Sequence, residues 1–332
     1  MEFLFHYGLF AAKTATLLVA AVLLVAIVTA LVSRPRDSEA RERLDVKRIN
    51  DRYRRLENAL RSQMASRKGA KKLLKREKAH RKARDRQRDE QRKRVFVLEF
   101  HGDMRASAVD HLREEITSVL AVAEQGDEVV VRLESPGGLV PSYGLAASQL
   151  ARIRARNVAL TVTIDKVAAS GGYLMACVAN RVLAAPFAIV GSIGVVAQIP
   201  NFNRLLKRHD IDYELQTAGE YKRTLTMFGE NTEAARRKFR EELEDTHALF
   251  KEHVQRYRPQ VDVGRVATGE YWLGERALGL GLVDDLTTSD DYLWERAREA
   301  ELFEVRYRQR KPLSKRLSLG LESVLRRLRT GL

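Results

Sequence analysis

"EVVVRLESPGGLVPSYGLAASQLARIRARNVALTVTI", residues 128–164, decides how the chain is read. Val129, Val130, Val131 and Leu133 form a β-branched, apolar run that predicts a strand over 128–135. "SPGG" at 135–138 breaks it, and a helix is expected over 142–155. "VALTVTI" at 158–164 alternates and predicts the next strand. A strand, a helix and a second strand form a parallel pair with its crossover. Working outward, "VFVLEF" at 95–100 and a helix near 107–123 repeat the rhythm upstream. An α/β domain with a mostly parallel sheet follows, and in such sheets chemistry gathers where strands end and helices begin.

Two such corners stand out. "ESPGGL" at 134–139 ends one strand with a Pro-Gly-Gly turn, which leaves backbone N–H groups unscreened, as an oxyanion hole needs. "DKVAASGGYLMAC" at 165–177 places Ser170 between Ala168, Ala169, Gly171 and Gly172 at a strand-to-helix junction. It is reminiscent of a nucleophile elbow, with Ala168 in place of the usual first glycine. The Gly171 amide would supply a second oxyanion donor, so acyl transfer through Ser170 is the chemistry suggested. Cys177, the one cysteine, reads as a small core filler and excludes an intrachain disulfide.

The base is harder to choose. Of His101, His111, His209, His247 and His253, His101 is best placed, directly after the first strand. A lysine removed from water can also act as a general base. Lys166, four residues before Ser170, and Lys222, in "TAGEYKRTLTMFGE" at 217–230, both stand apart from the charge runs. Spacing alone does not choose between them. No metal-ligand cluster or Gly-rich phosphate loop is evident, so neither metal nor cofactor is expected.

Charge and hydropathy divide the 332 residues further. The formal net charge of +15 lies in residues 34–94, which carry 25 Lys/Arg against 10 Asp/Glu. Residues 95–332 hold 33 of each sign. "TATLLVAAVLLVAIVTALV", residues 14–32, is 19 uncharged residues long and would span roughly 28 Å as a helix, enough for a bilayer. A cleaved signal peptide would have a shorter apolar region. Basic residues crowd its C-terminal flank (Arg34, Arg36, Arg41, Arg43, Lys47, Arg48), so the positive-inside rule places the following domain in the cytoplasm. "VLAAPFAIVGSIGVVAQIP" at 182–200 is equally long and uncharged, but its Pro and Gly suit buried strands and turns. The organisation expected is an anchor (1–33), a basic helical or partly disordered stalk (34–94), the α/β domain (95–310) and a basic amphipathic tail (311–332). The stalk reads as a solvated spacer, with anionic-lipid contact second. Nucleic-acid binding is disfavoured, since Tyr53 is its one aromatic residue. The tail suits a membrane surface, a partner subunit or the domain itself.

"SPGG", "DKVAASGGY", "GSIGV" (191–195), "TAGEYKRTL" and "ERALGLGLVD" (275–284) occur in the order that resembles the signal peptide peptidase A family. The N-terminal anchor, the stalk and "ENTEAARRKFREELEDTHALFKEHV" are similar to its SohB branch. The resemblance implies a serine–lysine dyad protease on a ClpP/crotonase-like fold in the bacterial inner membrane. Ser170 matches the nucleophile, Lys222 the general base, and Ser192 the hydroxyl that orients the lysine. Gly137 or Gly138, with Gly171, would form the oxyanion hole, leaving Lys166 a bystander. Half-length relatives form homo-oligomeric rings with the dyad shared between adjacent subunits, and the same is expected here. The implied substrates are extended apolar peptides, such as signal-peptide remnants. A bilayer crossing at 182–200 would part Ser170 from Lys222, so the dyad requires that segment to be core. The competing readings are a non-catalytic membrane scaffold on the same fold and an acyl-CoA enzyme of crotonase type, the latter disfavoured by the anchor and the Ser/Lys pair.

Overall fold

The computed structural model describes residues 2–33, 42–66 and 93–309. The chain divides into two compact units, Met1–Leu44 with Arg308–Leu332, and Asp45–Tyr307. In the first, helix α1 (Glu2–Ser33) runs for 32 residues. Its stretch His6–Val25 is, among the described residues, the one helix long and apolar enough to cross a bilayer. The tail at 311–332 lies outside the described residues.

The second unit is built on β2 (Arg94–His101), β3 (Glu128–Glu134), β4 (Ala159–Ile164), β6 (Arg181–Ala184) and β9 (Asp285–Leu286), joined in that order by parallel pairings. Strand β10 (Glu301–Gln309) adds in parallel on the other side of β2, and β1 (Glu42–Arg48) closes that edge. The strands are apolar at nearly every position because both faces are covered. Phe96, Leu98, Phe100, Val129, Val131, Val162 and Ile164 point into one core cluster. The intervening Val95, Val97 and Val130 point into the other, against Tyr292, Leu293 and Leu302. The first cluster is covered by α3 (Val109–Leu120), which buries Val109, Leu112, Ile116 and Val119 at helical spacing. Beside it lie α4 (Val140–Ala155) and the six-residue α5 (Gly171–Ala176), where Cys177 is buried just past the helix end. The second cluster lies under α6 (Ser289–Glu299), capped by the Thr288 side chain accepting from Asp291 N–H.

A second sheet orders β5 (Val167–Ala169), β7 (Ile189–Gly191) and β8 (Tyr271–Leu273). Residues 182–194 therefore form β6, a turn and β7, with Val182, Leu183, Ala184, Ala188, Val190 and Ile193 buried. The mixed α/β, mostly parallel architecture agrees with the expected class.

The segment 34–94 differs from its expectation. Residues 42–48 form strand β1, and α2 (Ile49–Met64) packs back on the domain. Buried Asn50 donates to the carbonyls of Ala297 and Ala300, both at 3.0 Å, and accepts from Leu302 N–H at 2.8 Å. Arg48 pairs with Glu301, and Tyr53 sets its ring edge-on to Trp294. The physical reason is the open edge of β10, which a strand can cover while its charged side chains stay in water. The remainder of the expected stalk, 34–41 and 67–92, lies outside the described residues.

Candidate active site

The end of β3 enters the second sheet at one residue. Ser135 N–H donates to Val167 C=O at 2.8 Å, and Ser135 C=O accepts from Ala169 N–H at 3.0 Å. The Pro-Gly-Gly turn is thereby laid against the serine corner. Gly137 has φ +89°, and a Cβ there would lie 2.7 Å from Gly171 N and 2.8 Å from Ser170 Cβ. A Cβ on Gly138 would lie 2.2 Å from Met104 C=O, whose oxygen accepts from Leu139 N–H at 2.8 Å. Neither glycine tolerates a side chain.

Ser170 holds φ +51° and ψ −119°, a conformation that non-glycine residues rarely adopt. Its N–H donates to Gly191 C=O at 2.8 Å, and its C=O accepts from Leu174 N–H at 2.9 Å. The strained corner is thus fixed from both sides, as observed where strain serves a site. A Cβ on Gly171 would meet the Tyr143 ring at 2.4 Å, and one on Gly172 would meet Ser135 C=O at 2.6 Å. The small residues around Ser170 are there because the backbones of three segments converge on it.

Ser192 follows Gly191, the residue that accepts from Ser170. It too has φ +51°, with its N–H on Glu270 C=O at 2.8 Å and its Oγ 3.5 Å from Gly269 C=O. Ser170, Ser192, Gly137, Gly138 and Gly171 are therefore brought to one place by β3, β5 and β7.

Lys222 is not part of that cluster in the single chain. It is exposed on an arm, residues 195–231, in which no residue is buried. Its N–H donates to Gly219 C=O at 3.2 Å, and among the described residues no hydrogen bond or ion pair joins its ammonium to Ser170 or Ser192. The arm is closed on itself by amide side chains. Asn201 donates to Thr226 C=O (2.9 Å) and Gly229 C=O (3.0 Å), and Asn203 to Phe228 C=O (2.8 Å). Phe228 lies between Phe202 and Tyr213 at ring separations of 6.0 and 5.7 Å.

Three of the other candidate bases are engaged elsewhere. Lys166 is exposed and pairs with Glu134 at 3.0 Å. His101 faces Glu99 at 3.2 Å and Glu134 at 3.8 Å. His253 sets Nε2 3.1 Å from Leu174 C=O, and burial holds its imidazole below the usual range, hence neutral. Behind "GLGLVD", buried Arg258 clasps Asp284 through two donors at 2.7 and 2.8 Å while Asp284 accepts from Val182 N–H, so that motif is structural. Sequence reasoning missed Ser135 and Tyr143, whose hydroxyls lie 2.6 Å apart under the Pro-Gly-Gly turn. The buried tyrosine at the start of the following helix is the signal that could have found them.

Residues 2–150 match the family model described as peptidase family S49 N-terminal, and residues 152–303 match peptidase family S49. The probable protease SohB of Buchnera aphidicola subsp. Acyrthosiphon pisum is 47% identical over 321 residues, covering 97% of this chain and 95% of that protein. The probable protease SohB of Haemophilus influenzae is 55% identical over 228 residues, covering 69% of this chain and 65% of that protein, just under two thirds of its length. Among solved structures, a mutant of the 1510-N membrane-bound stomatin-specific protease in complex with a substrate peptide aligns with TM-score 0.39 and 14% identity, over 61% of this chain and 80% of that one. The chain belongs to peptidase family S49, as a SohB-type member.

Proposed function

We propose that the protein is a membrane-anchored serine endopeptidase in which Ser170 is the nucleophile and Lys222 the general base. The observation that carries the reading is the Ser170 corner, held at φ +51° with Gly137 and Gly171 stripped of side chains against it. Ser170 Oγ attacks the peptide carbonyl carbon as its proton passes to the unprotonated Lys222 amine. An amide of the Gly137–Gly138 turn and that of Gly171 hold the oxyanion. Collapse breaks the C–N bond, and Lys222 returns the proton to the leaving amine. Water then attacks the acyl-enzyme by the reverse proton path and frees Ser170.

An amine accepts that proton only when unprotonated, a state favoured by removal from water. Lys222 is exposed in the single chain, which supports a dry site supplied by a neighbouring copy. The arm that carries it also exposes Val196, Phe202, Leu205, Tyr221 and Phe228, apolar surface suited to burial against another subunit. A ring with Ser170 and Lys222 from adjacent chains satisfies both. Ser192, beside the Ser170 anchor, is the hydroxyl that orients the incoming Lys222 amine. Substrates are extended apolar peptides such as signal-peptide remnants, and α1 tethers the domain to the bilayer, with the basic flank favouring the cytoplasmic side.

Fluorophosphonate labelling of the full chain in detergent tests the nucleophile. Wild type and Lys166→Ala should label and cleave alike. Ser170→Ala should not label, and Ser170→Ala and Lys222→Ala should each lose activity by about 10³-fold or more. Mixed assemblies of the two inactive variants should regain cleavage. Absence of recovery places the dyad within one chain, and a folded wild type that neither labels nor cleaves points to a scaffold.

A further inference from the structure

Helix α2 (Ile49–Met64) presents two faces to different surroundings. One is fixed on the domain. Asn50 holds the carbonyls of Ala297 and Ala300 and the Leu302 N–H, Ile49 packs on the second core cluster, and the Tyr53 ring meets Trp294. These contacts set the rotation of the helix about its axis. The opposite face turns to solvent, and its outer row is Arg52, Leu56, Leu60 and Met64, each four residues from the last. Leu56, Leu60 and Met64 are 59%, 67% and 80% exposed. The neighbouring row, Arg55, Ala59 and Gln63, is exposed as well. Single exposed leucines are ordinary on a protein surface, but three long apolar side chains on one row make a stripe. The charge beside it has one sign. Asp51 pairs with Arg54 and Glu57 with Arg61, at 2.5 and 2.6 Å, and neither acid belongs to the two outward rows. Among the described residues, Arg52 and Arg55 have no acidic partner.

We propose that this outward face of α2 docks on the headgroup layer of an anionic bilayer, with Leu56, Leu60 and Met64 entering the acyl boundary and Arg52 and Arg55 meeting lipid phosphates. The inference rests on α1 spanning that bilayer and is independent of the chemistry at Ser170. An apolar stripe edged by arginines is the composition of a helix that lies in a membrane interface. Chain length supplies the proximity. Helix α1 ends at Ser33 and α2 begins at Ile49, so residues 34–48 tie α2 within at most about 50 Å of the membrane. A face too small to hold a protein on a membrane by itself becomes effective when a tether raises its local concentration. The surrounding segment 34–94, with 25 Lys/Arg against 10 Asp/Glu, adds attraction to the same anionic surface. It also disfavours a second copy as the occupant, because two such segments repel. Docking holds the domain against the bilayer, where the peptides within its reach are those leaving the membrane.

The test uses the full chain in phosphatidylcholine vesicles with and without phosphatidylglycerol, carrying an environment-sensitive fluorophore on Leu60→Cys. The natural Cys177 is buried and stays unlabelled. Leu18→Cys reports the anchor, and Val122→Cys, exposed just past α3, reports the rest of the domain. Each probe is read by quenching from lipids brominated near the headgroup or deep in the acyl chain. Expected is deep quenching of the Leu18→Cys probe in both membranes, shallow quenching of the Leu60→Cys probe only with phosphatidylglycerol, and none of the Val122→Cys probe. Arg52→Gln and Arg55→Gln, added to Leu60→Cys, should each lower the docked-to-free ratio by about fivefold, and salt should lower it further. Leu56→Ser with Met64→Ser should abolish docking while the melting temperature stays that of the parent, since both side chains stand in solvent. A Leu60→Cys probe that is dry yet unquenched means that a second copy or the chain's own basic segment covers the stripe, and overturns the proposal. A probe left in water overturns it too, as does equal quenching of the Leu60→Cys and Val122→Cys probes. If the Leu18→Cys probe is not quenched, the anchor reading falls and takes this one with it. If that probe is quenched and the Leu60→Cys probe is not, only the docking of α2 falls.

Discussion

The Ser170 pocket and the Lys222 arm carry the two halves of one proposed reaction and are built in opposite ways. Around Ser170, Ala168, Ala169, Gly171, Gly172 and Tyr173 are all buried, and three segments fix the backbone. From 195 to 231 no residue is buried, and the arm is held by its own asparagine amides and one ring cluster. Packing within one chain determines the first region. On the proposed reading association with a neighbouring copy determines the second, whose apolar side chains stand exposed among the described residues.

The largest effect that could break this contrast is Gly171→Ala. Its methyl would sit 2.4 Å from the Tyr143 ring, and neither can move without disturbing the corner. Unfolding in denaturant should show a loss of about 2–3 kcal/mol, with labelling abolished. Unchanged stability would mean that the pocket is not rigid.

Next comes Glu115, buried on α3 under the Tyr307 N–H at 2.8 Å. Burial raises its carboxyl to about 7, against which the Tyr307 hydrogen bond and Arg306 act only partly. Its ordinary value is about 4.5, so between there and about 7 the folded state holds a proton that the unfolded chain releases. Stability from this group is therefore greatest below the ordinary value, falls as pH rises through that window and levels off above about 7. Glu115→Gln keeps the acceptor and removes the titration, so at pH about 8 it should be the more stable by on the order of 2 kcal/mol and near wild type at pH about 5. The gain should leave proteolysis of the arm untouched; a linked change would show that core and arm are one cooperative piece.

The smallest effect sharpens the contrast from the other side. Asn201→Ala removes three hydrogen bonds of the arm, about 1 kcal/mol locally. Tryptic cleavage at Lys207, Arg208, Lys222 or Arg223 should quicken several-fold while the global melting temperature stays put. A matching fall in melting temperature would tie the arm to the core.

Much of this architecture was readable in the chain, because β2, β3 and β4 are long apolar runs separated by a helix and by turn residues. Strands β5 and β7, three residues each, are too short for periodicity to register. Strand β1 and helix α2 were hidden by their charge, which an edge position leaves in solvent. The Ser170 corner was legible from its small residues, and the structure explains them by converging backbones. Lys222 was named by resemblance, since no local pattern could connect it to a serine 52 residues away.

Ser135 joins β3 to β5 through both its N–H and its C=O, so the Pro-Gly-Gly turn and the serine corner cannot part unless the two sheets do. With Lys222 as the base, warming should act on the enzyme in two stages. Cleavage is lost first, as arms withdraw from their neighbours, and it returns on cooling. The serine corner keeps its backbone geometry until the sheets themselves melt. On that reading, heat inactivation begins as disassembly.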